Sequence, residues 1–172
     1  MQGLRLLAWL GALAAIAAVS AGCAASSTNA LNFPCSPTTP SPYKGGESAS
    51  IDSPAGFNYG SKVIRAALPQ RGHLVAGKLP GGGERAEINK DGSISAKFGW
   101  WRGRNGRLSI SGHRLDAGAA PLKAELPPMN SYDVPGFIPS ALTFPTTGCW
   151  RVSATLGQAH LSFVLSVTTV HQ

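Results

Sequence analysis

The sequence predicts an all-β domain of two packed antiparallel sheets over residues 57–172. Three observations predict this fold class: apolar and polar residues alternate in short runs, turn signals recur about every ten residues, and no amphipathic helical stretch follows residue 30. The 21 glycines and 13 prolines among 172 residues suit a chain with many turns. A domain of this size can bury an adequate core without a metal or cofactor, so we expect neither.

Three glycine-containing turns mark the predicted hairpins. Asp91-Gly92 and Asn105-Gly106 each separate two alternating runs, and both dipeptides favour type I′ turns. Gly157-Gln158 joins the last two strands, where glycine supplies the positive φ of a type II′ turn. The apolar residues around this last turn are predicted to face the core: Trp150, Val152, Ala154 and Leu156 before it, and Leu161, Phe163, Leu165 and Val167 after it.

Residues 1–22 have the features of a secretory signal peptide. A positive charge at Arg5 precedes an apolar run from Leu6 to Val19, and small residues follow that run. The 14 apolar residues are short for a membrane span, which needs about 20 residues. An uncleaved anchor helix is the alternative that this length disfavours.

The leader ends in Ala21-Gly22-Cys23, which resembles the lipobox of bacterial lipoproteins. In those proteins diacylglycerol is attached to the thiol, and cleavage makes the cysteine the first residue. Ser20 stands where leucine is usual, although Val19 lies one place upstream. The resemblance implies lipidation of Cys23 and an extracytoplasmic, lipid-anchored location at the cell membrane or outer membrane. Cleavage after Ala21, which would release a soluble protein, is the alternative.

Residues 23–56 are predicted to form a flexible tether. The segment is rich in Ser, Thr, Pro, Ala and Gly, and its repeated prolines favour extended polyproline-like structure. Such a composition cannot bury enough apolar surface to offset the entropy of ordering. We therefore expect a spacer between the lipidated Cys23 and the domain.

The domain carries two distinctive groups of short motifs. The first is Gly99-Trp100-Trp101-Arg102, continuing through Leu108–Asp116, and the second is Gly136–Pro145 with Gly148-Cys149-Trp150-Arg151. These segments resemble a family of bacterial secreted domains that looks immunoglobulin-like and has no assigned activity. The resemblance covers Cys35 to Val167 and implies an antiparallel immunoglobulin-like β-sandwich. The family usually has an acidic residue at the position of Arg151.

The two remaining cysteines, Cys35 in the tether and Cys149 at the start of a strand, are predicted to form a disulfide. An oxidising location favours the bond, and lipidation of Cys23 leaves these two as a pair. Strand alternation points Cys149 away from Trp150 and from the core. We therefore expect the tether to be stapled along the outer face or edge of a sheet. Two unpaired thiols are the alternative. No histidine lies at ligand spacing, so we expect no metal site.

An aromatic and basic cluster is the candidate ligand patch: Trp101, Arg102, Arg104, Arg107 and Arg114. Parity with Phe98 places Trp100 inside and Trp101 outside. An exposed aromatic ring among guanidinium groups could bind a glycan or an anionic polymer by stacking and charge. The plainer interpretation is that Trp101 covers part of the sheet, and that the arginines are solvated charges which discourage edge pairing.

No catalytic residue is predicted, and we expect no enzyme. His113 and Asp116 could suggest a base and its orienting carboxylate, but no motif places a nucleophile. The formal net charge of +7 favours anionic neighbours. We therefore expect a non-catalytic binding or structural module of the cell envelope, in contact with the membrane through Cys23 and with an envelope protein or anionic polymer, but not with nucleic acid. The alternatives are a glycan- or polyanion-binding module that uses the patch, and a hydrolase.

Overall fold

A computed structural model describes residues 34–41, 44–45, 50, 52–77 and 86–170. The predicted signal peptide, Cys23 and much of the predicted tether lie outside the described residues. The strands are β1 (Tyr59–Gly60), β2 (Ile64–Ala66), β3 (His73–Ala76), β4 (Ala86–Ile88), β5 (Ile94–Arg102), β6 (Leu108–Arg114), β7 (Lys123–Glu125), β8 (Gly136–Phe144), β9 (Gly148–Leu156) and β10 (Ala159–Thr169). One short 3₁₀ turn, Pro54–Gly56, precedes β1, and a second, Gln70–Gly72, lies between β2 and β3.

The strands form two sheets that pack face to face. One sheet has the order β1-β2-β5-β8-β7, with β4 paired to the first three residues of β5, and the other has the order β3-β10-β9-β6. Strands β5, β8 and β7 correspond to B, E and D of an immunoglobulin domain, and β10, β9 and β6 correspond to G, F and C. The predicted all-β, immunoglobulin-like sandwich is therefore confirmed.

One strand pairing departs from the predicted antiparallel arrangement. β3 runs parallel to β10, in a register from His73 opposite Ser166 to Ala76 opposite Thr169. Parallel neighbours require a long connection, and here almost the whole domain lies between the two strands. This pairing could therefore not be predicted from a local turn signal.

Two of the three predicted hairpins form. β9 and β10 are joined by the two-residue turn at Gly157, whose φ is 59°. β4 and β5 also pair, but their turn is not type I′, because Gly92 donates to the Asn89 carbonyl and Asp91 does not have a positive φ. The hairpin predicted at Asn105-Gly106 is wrong, since β5 and β6 belong to different sheets. The chain does reverse at this dipeptide, but the reversal leads from one sheet to the other and not to a neighbouring strand of the same sheet.

The interior between the sheets is rich in aromatic rings. Trp100 lies 6.0 Å from Phe163 and Trp150 lies 5.6 Å from Phe144, measured between ring centroids. Both indoles are fully buried and satisfied: Trp100 donates to the Ser140 hydroxyl, and Trp150 donates to a backbone carbonyl. The eight core positions predicted for the last hairpin are all buried or nearly so. The observed inward face of β9 and β10 is thus the predicted one.

The predicted Cys35–Cys149 disulfide is confirmed, with a Cα–Cα distance of 5.4 Å. Cys149 points away from the interior as expected, yet it is only 3% exposed because the segment that carries Cys35 covers it. Residues 34–41, which we call the clasp, continue to the edge of β10. There the Thr38 amide donates to the Val164 carbonyl at 2.8 Å, and the Val164 amide donates to the Thr38 hydroxyl at 2.9 Å.

The clasp also reaches the other sheet. The Ser41 amide donates to the Asn58 carbonyl, and the buried guanidinium of Arg65 in β2 donates to the carbonyls of Phe57, Gly60 and Ser41. The Thr38 contacts lie just before the point where β3 begins to pair with β10. The clasp therefore covers a stretch of strand edge that would otherwise be open to pairing with another chain.

Candidate functional site

The expectation that Trp101 stands exposed in a ligand patch is wrong. Its side chain lies on the outer face of β5, as parity predicts, but it is only 6% exposed. The Phe57 ring covers it at 6.3 Å, and the indole N–H donates to the Lys62 carbonyl. Phe57 fits there because the neighbouring outward residue of β5 is Gly99. Trp101 therefore covers the sheet, which is the plainer of the two interpretations.

Arg102 is also not at an exposed tip. It has the same parity as Trp100, so its side chain enters the space between the sheets, and the residue is 1% exposed. Because Arg102 is the last residue of β5, its side chain lies at one end of this interior. Strand alternation already placed this side chain inside, against the usual preference of arginine for the surface.

The other three arginines of the predicted patch do not form one cluster. Arg104 is exposed and donates to the Leu156 carbonyl beside the β9–β10 turn. Arg107 is exposed immediately before β6, whereas Arg114 is the last residue of that strand, about 24 Å further along the chain. Of the five predicted residues, only Arg102 and Arg107 line a common cavity.

That cavity is an open groove of about 950 Å³ between the two edge strands of the sandwich, β6 and β7. Leu108 and Ile110 of β6 form one wall, and the chain from Ala124 to Met129 forms the other. Ile138 and Arg102, the two most buried of the lining residues, form its floor. Met129 is 57% exposed at the rim, where a smaller cavity adjoins. We call this feature the edge groove.

The Arg102 guanidinium is incompletely satisfied. Its Nη2 donates to the Tyr132 carbonyl at 3.1 Å, while the buried Nε has no hydrogen-bond partner among the described residues. No described carboxylate lies within 4 Å of it, although Glu125 also lines the edge groove. Burial lowers the pKa of this guanidinium, as expected for a cation removed from water without a counter-ion. The guanidinium therefore has hydrogen-bonding capacity that the described residues leave unused.

Sequence reasoning missed most residues of the edge groove. The apolar wall residues alternate as ordinary core positions, and the opposite wall follows the three-residue strand β7. The signal that could have located it is a charge at an inward position, Arg102, at the end of a long strand.

Asp116 pairs with Arg114 instead of orienting His113, which is exposed on the outer face of β6. Arg114 Nε and Asp116 Oδ1 are 2.7 Å apart, and Nη2 also reaches the carboxylate. The hydrogen bond from Arg114 lowers the pKa of Asp116. A lowered folded-state pKa stabilises the fold above the unfolded pKa, near 3.9, and the stabilisation is lost as the pH falls through the folded value.

Asp116→Asn is accordingly expected to lower the free energy of unfolding near neutral pH by about 0.5–1 kcal/mol, because the pair is partly exposed. The difference from wild type should shrink as the pH falls below about 4, where the wild-type carboxylate also becomes protonated. Urea unfolding at several pH values measures this, with Asp133→Asn at an exposed position as the control. A deficit of Asp116→Asn that stays constant into acid would contradict the ion-pair account.

Among the described residues, no group of three or more His, Cys, Asp or Glu side chains is arranged to hold a metal ion. In this same part of the chain, no helix has the length and apolar character needed to cross a bilayer.

The described domain is an immunoglobulin-like sandwich with the clasp on one edge and, on the opposite edge, the edge groove with Arg102 at its floor. No protein-family model and no curated protein sequence matches the chain.

Proposed function

We propose that this protein is a lipid-anchored, extracytoplasmic binding module of the cell envelope, without catalytic activity. The observation that carries the proposal is the Cys35–Cys149 disulfide in a chain whose third cysteine, Cys23, directly follows a signal-like leader. Structural disulfides persist in oxidising compartments, outside the cytosol. The edge groove supports a binding role, because it combines an apolar wall with an incompletely satisfied cation.

The disulfide also limits the distance between the folded module and the lipidated cysteine. Eleven residues separate Cys23 from Cys35, and a fully extended chain advances about 3.5 Å per residue. The lipidated cysteine would therefore lie within about 40 Å of the disulfide. Acyl chains stabilise membrane attachment by about 0.8 kcal/mol per buried methylene, so two or three chains hold the protein essentially permanently. The module would act close to the membrane surface.

The proposal predicts that the mature chain begins at a Cys23 that carries acyl chains. Mass spectrometry of protein from the membrane fraction should find this N-terminal peptide, and Cys23→Ala should move the chain to the soluble exported fraction. The matched control is Cys35→Ala, which removes the disulfide but should stay in the membrane fraction. An unmodified Cys23, or a chain that retains its initiator methionine in the cytosol, would overturn the proposal.

The polyanion-binding alternative has less support from the geometry. It requires an exposed aromatic ring beside several arginines, whereas Trp101 is buried and Arg104, Arg107 and Arg114 lie apart. No specific observation favours the hydrolase alternative. We therefore propose the edge groove as the place where a ligand binds.

A further inference from the structure

The floor of the edge groove holds a hydrogen-bonding capacity that the described residues do not use. Arg102 is 1% exposed, its Nε has no described partner, and its Nη2 is held by a single backbone carbonyl, that of Tyr132. A buried guanidinium prefers a carboxylate that accepts two parallel N–H bonds, and leaving its N–H groups unpaired is unfavourable. An anionic ligand group would complete this site.

The wall formed by β6 offers unpaired backbone groups in the same place. The Gly112 carbonyl faces away from β9, since it accepts a bond from the Leu122 amide at 3.0 Å. Residues two and four positions earlier, Ile110 and Leu108, present their backbone groups on the same outer side, because the pattern of an antiparallel strand alternates. Neither residue makes a further backbone hydrogen bond on that side within the described chain.

We infer that the edge groove binds an extended peptide segment of a partner protein that carries a carboxylate side chain. The peptide would add to the open edge of β6 through the backbone of Leu108 and Ile110. Its apolar side chains would pack between Ile110 and Met129, and its carboxylate would bind Arg102. This inference rests on the proposed function of the protein as a binding module.

A peptide fits these features better than a free polyanion. Strand addition satisfies backbone donors and acceptors, which a polysaccharide or polyphosphate cannot match at strand spacing. The groove also presents apolar side chains on both walls, where alternate residues of a strand can pack. The carboxylate would displace the Tyr132 carbonyl from Nη2, and its two oxygens would then accept from Nη2 and from the adjacent Nε in parallel. Tyr132 lies outside the strands, between β7 and β8, so this exchange moves a loop and leaves the sheets in place.

The test uses the exported chain with Cys23→Ala, labelled with ¹⁵N, and the probe peptide acetyl-Val-Thr-Glu-Thr-Val-amide, whose glutamate and two valines share one face of a strand. Binding should shift the Arg102 Nε–H resonance together with the backbone amides of Leu108 and Ile110. The matched peptide with glutamine in place of glutamate should bind at least about tenfold more weakly, since it loses a charge-assisted pair. Hexanoate and a short polyphosphate serve as probes for a free acid and a free polyanion.

Two variants separate the contribution of the strand edge from that of positive charge elsewhere on the domain. Ile110→Pro removes the outward N–H without removing a bond to β9, and it should weaken peptide binding at least about tenfold. Arg104→Gln removes one charge outside the groove and should leave the affinity unchanged. Ile110→Val is the control for the loss of side-chain packing.

Several outcomes would overturn the inference. They are the absence of any shift at millimolar peptide, equal binding of the glutamate and glutamine peptides, and full reproduction of the amide shifts by hexanoate or polyphosphate. These readouts do not depend on lipid attachment. Failure of the peptide test would therefore leave the lipoprotein proposal standing, and failure of the lipidation test would leave the groove open to measurement.

Discussion

Replacing Cys35 and Cys149 together by alanine is expected to lower the free energy of unfolding by about 4 kcal/mol. The bond closes a loop between residues 114 apart in sequence, so its loss returns a large amount of conformational freedom to the unfolded chain. Alanine suits the buried Cys149 position because it introduces no polar atom. Urea unfolding with a comparison of m-values measures the change.

The same variant should release the clasp before the rest of the domain unfolds. Hydrogen exchange at the Thr38 amide is expected to accelerate strongly, because the bond to Val164 then lacks the nearby covalent link. The Val152 amide, in the interior strand β9, should exchange only with global unfolding. The single variant Cys149→Ala is the control and should match the double one. A loss of stability below about 1 kcal/mol would contradict our view that the disulfide constrains the unfolded chain.

Local patterns predicted the parts of the fold that local contacts determine. The alternation of apolar residues in β9 and β10 predicted their inward faces, because each strand has one face against the core. The glycine of the connecting turn then fixed their register. The Cys35–Cys149 bond was also predictable, since removing Cys23 from an odd set leaves one pair.

Contacts between distant parts of the chain could not be predicted in this way. Asn105-Gly106 specifies a reversal, but whether the next strand pairs with β5 or crosses to the other sheet depends on packing that the dipeptide does not encode. The parallel pairing of β3 with β10 has the same origin.

The exposure predicted for Trp101 and Arg102 was wrong for a related reason, since burial also depends on distant parts of the chain. The parity of Trp101 was correct, and its burial was missed because the ring that covers it, Phe57, comes from a segment assigned to the domain boundary. Arg102 was misplaced because its charge was given more weight than its position in β5. An inward arginine at a strand end is a better indication of a site than an outward one in a run of arginines.

Truncating Trp101 to alanine is expected to lower the free energy of unfolding by about 3 kcal/mol. The ring contacts Phe57, which in turn stacks on Phe137 at 6.1 Å, so the truncation opens a cavity in the layer outside the first sheet. Arg104→Ala and Arg107→Ala, at exposed positions, should each change stability by no more than about 0.5 kcal/mol.

Trp101→Phe separates the ring from its hydrogen bond. It keeps an aromatic ring against Phe57 but loses the N–H that donates to the Lys62 carbonyl at 3.3 Å, so we expect a smaller loss of about 1 kcal/mol. The competing role of Trp101 is to bind an anionic polymer. Retention on an anionic polymer column at low salt, measured on the same variants, tests that role. Because a covering role acts on unfolding and a ligand role acts on retention, the two measurements respond to different properties of one side chain. If Trp101→Ala kept wild-type stability but lost retention, Trp101 would be a surface ligand residue and the packed layer with Phe57 would be wrong.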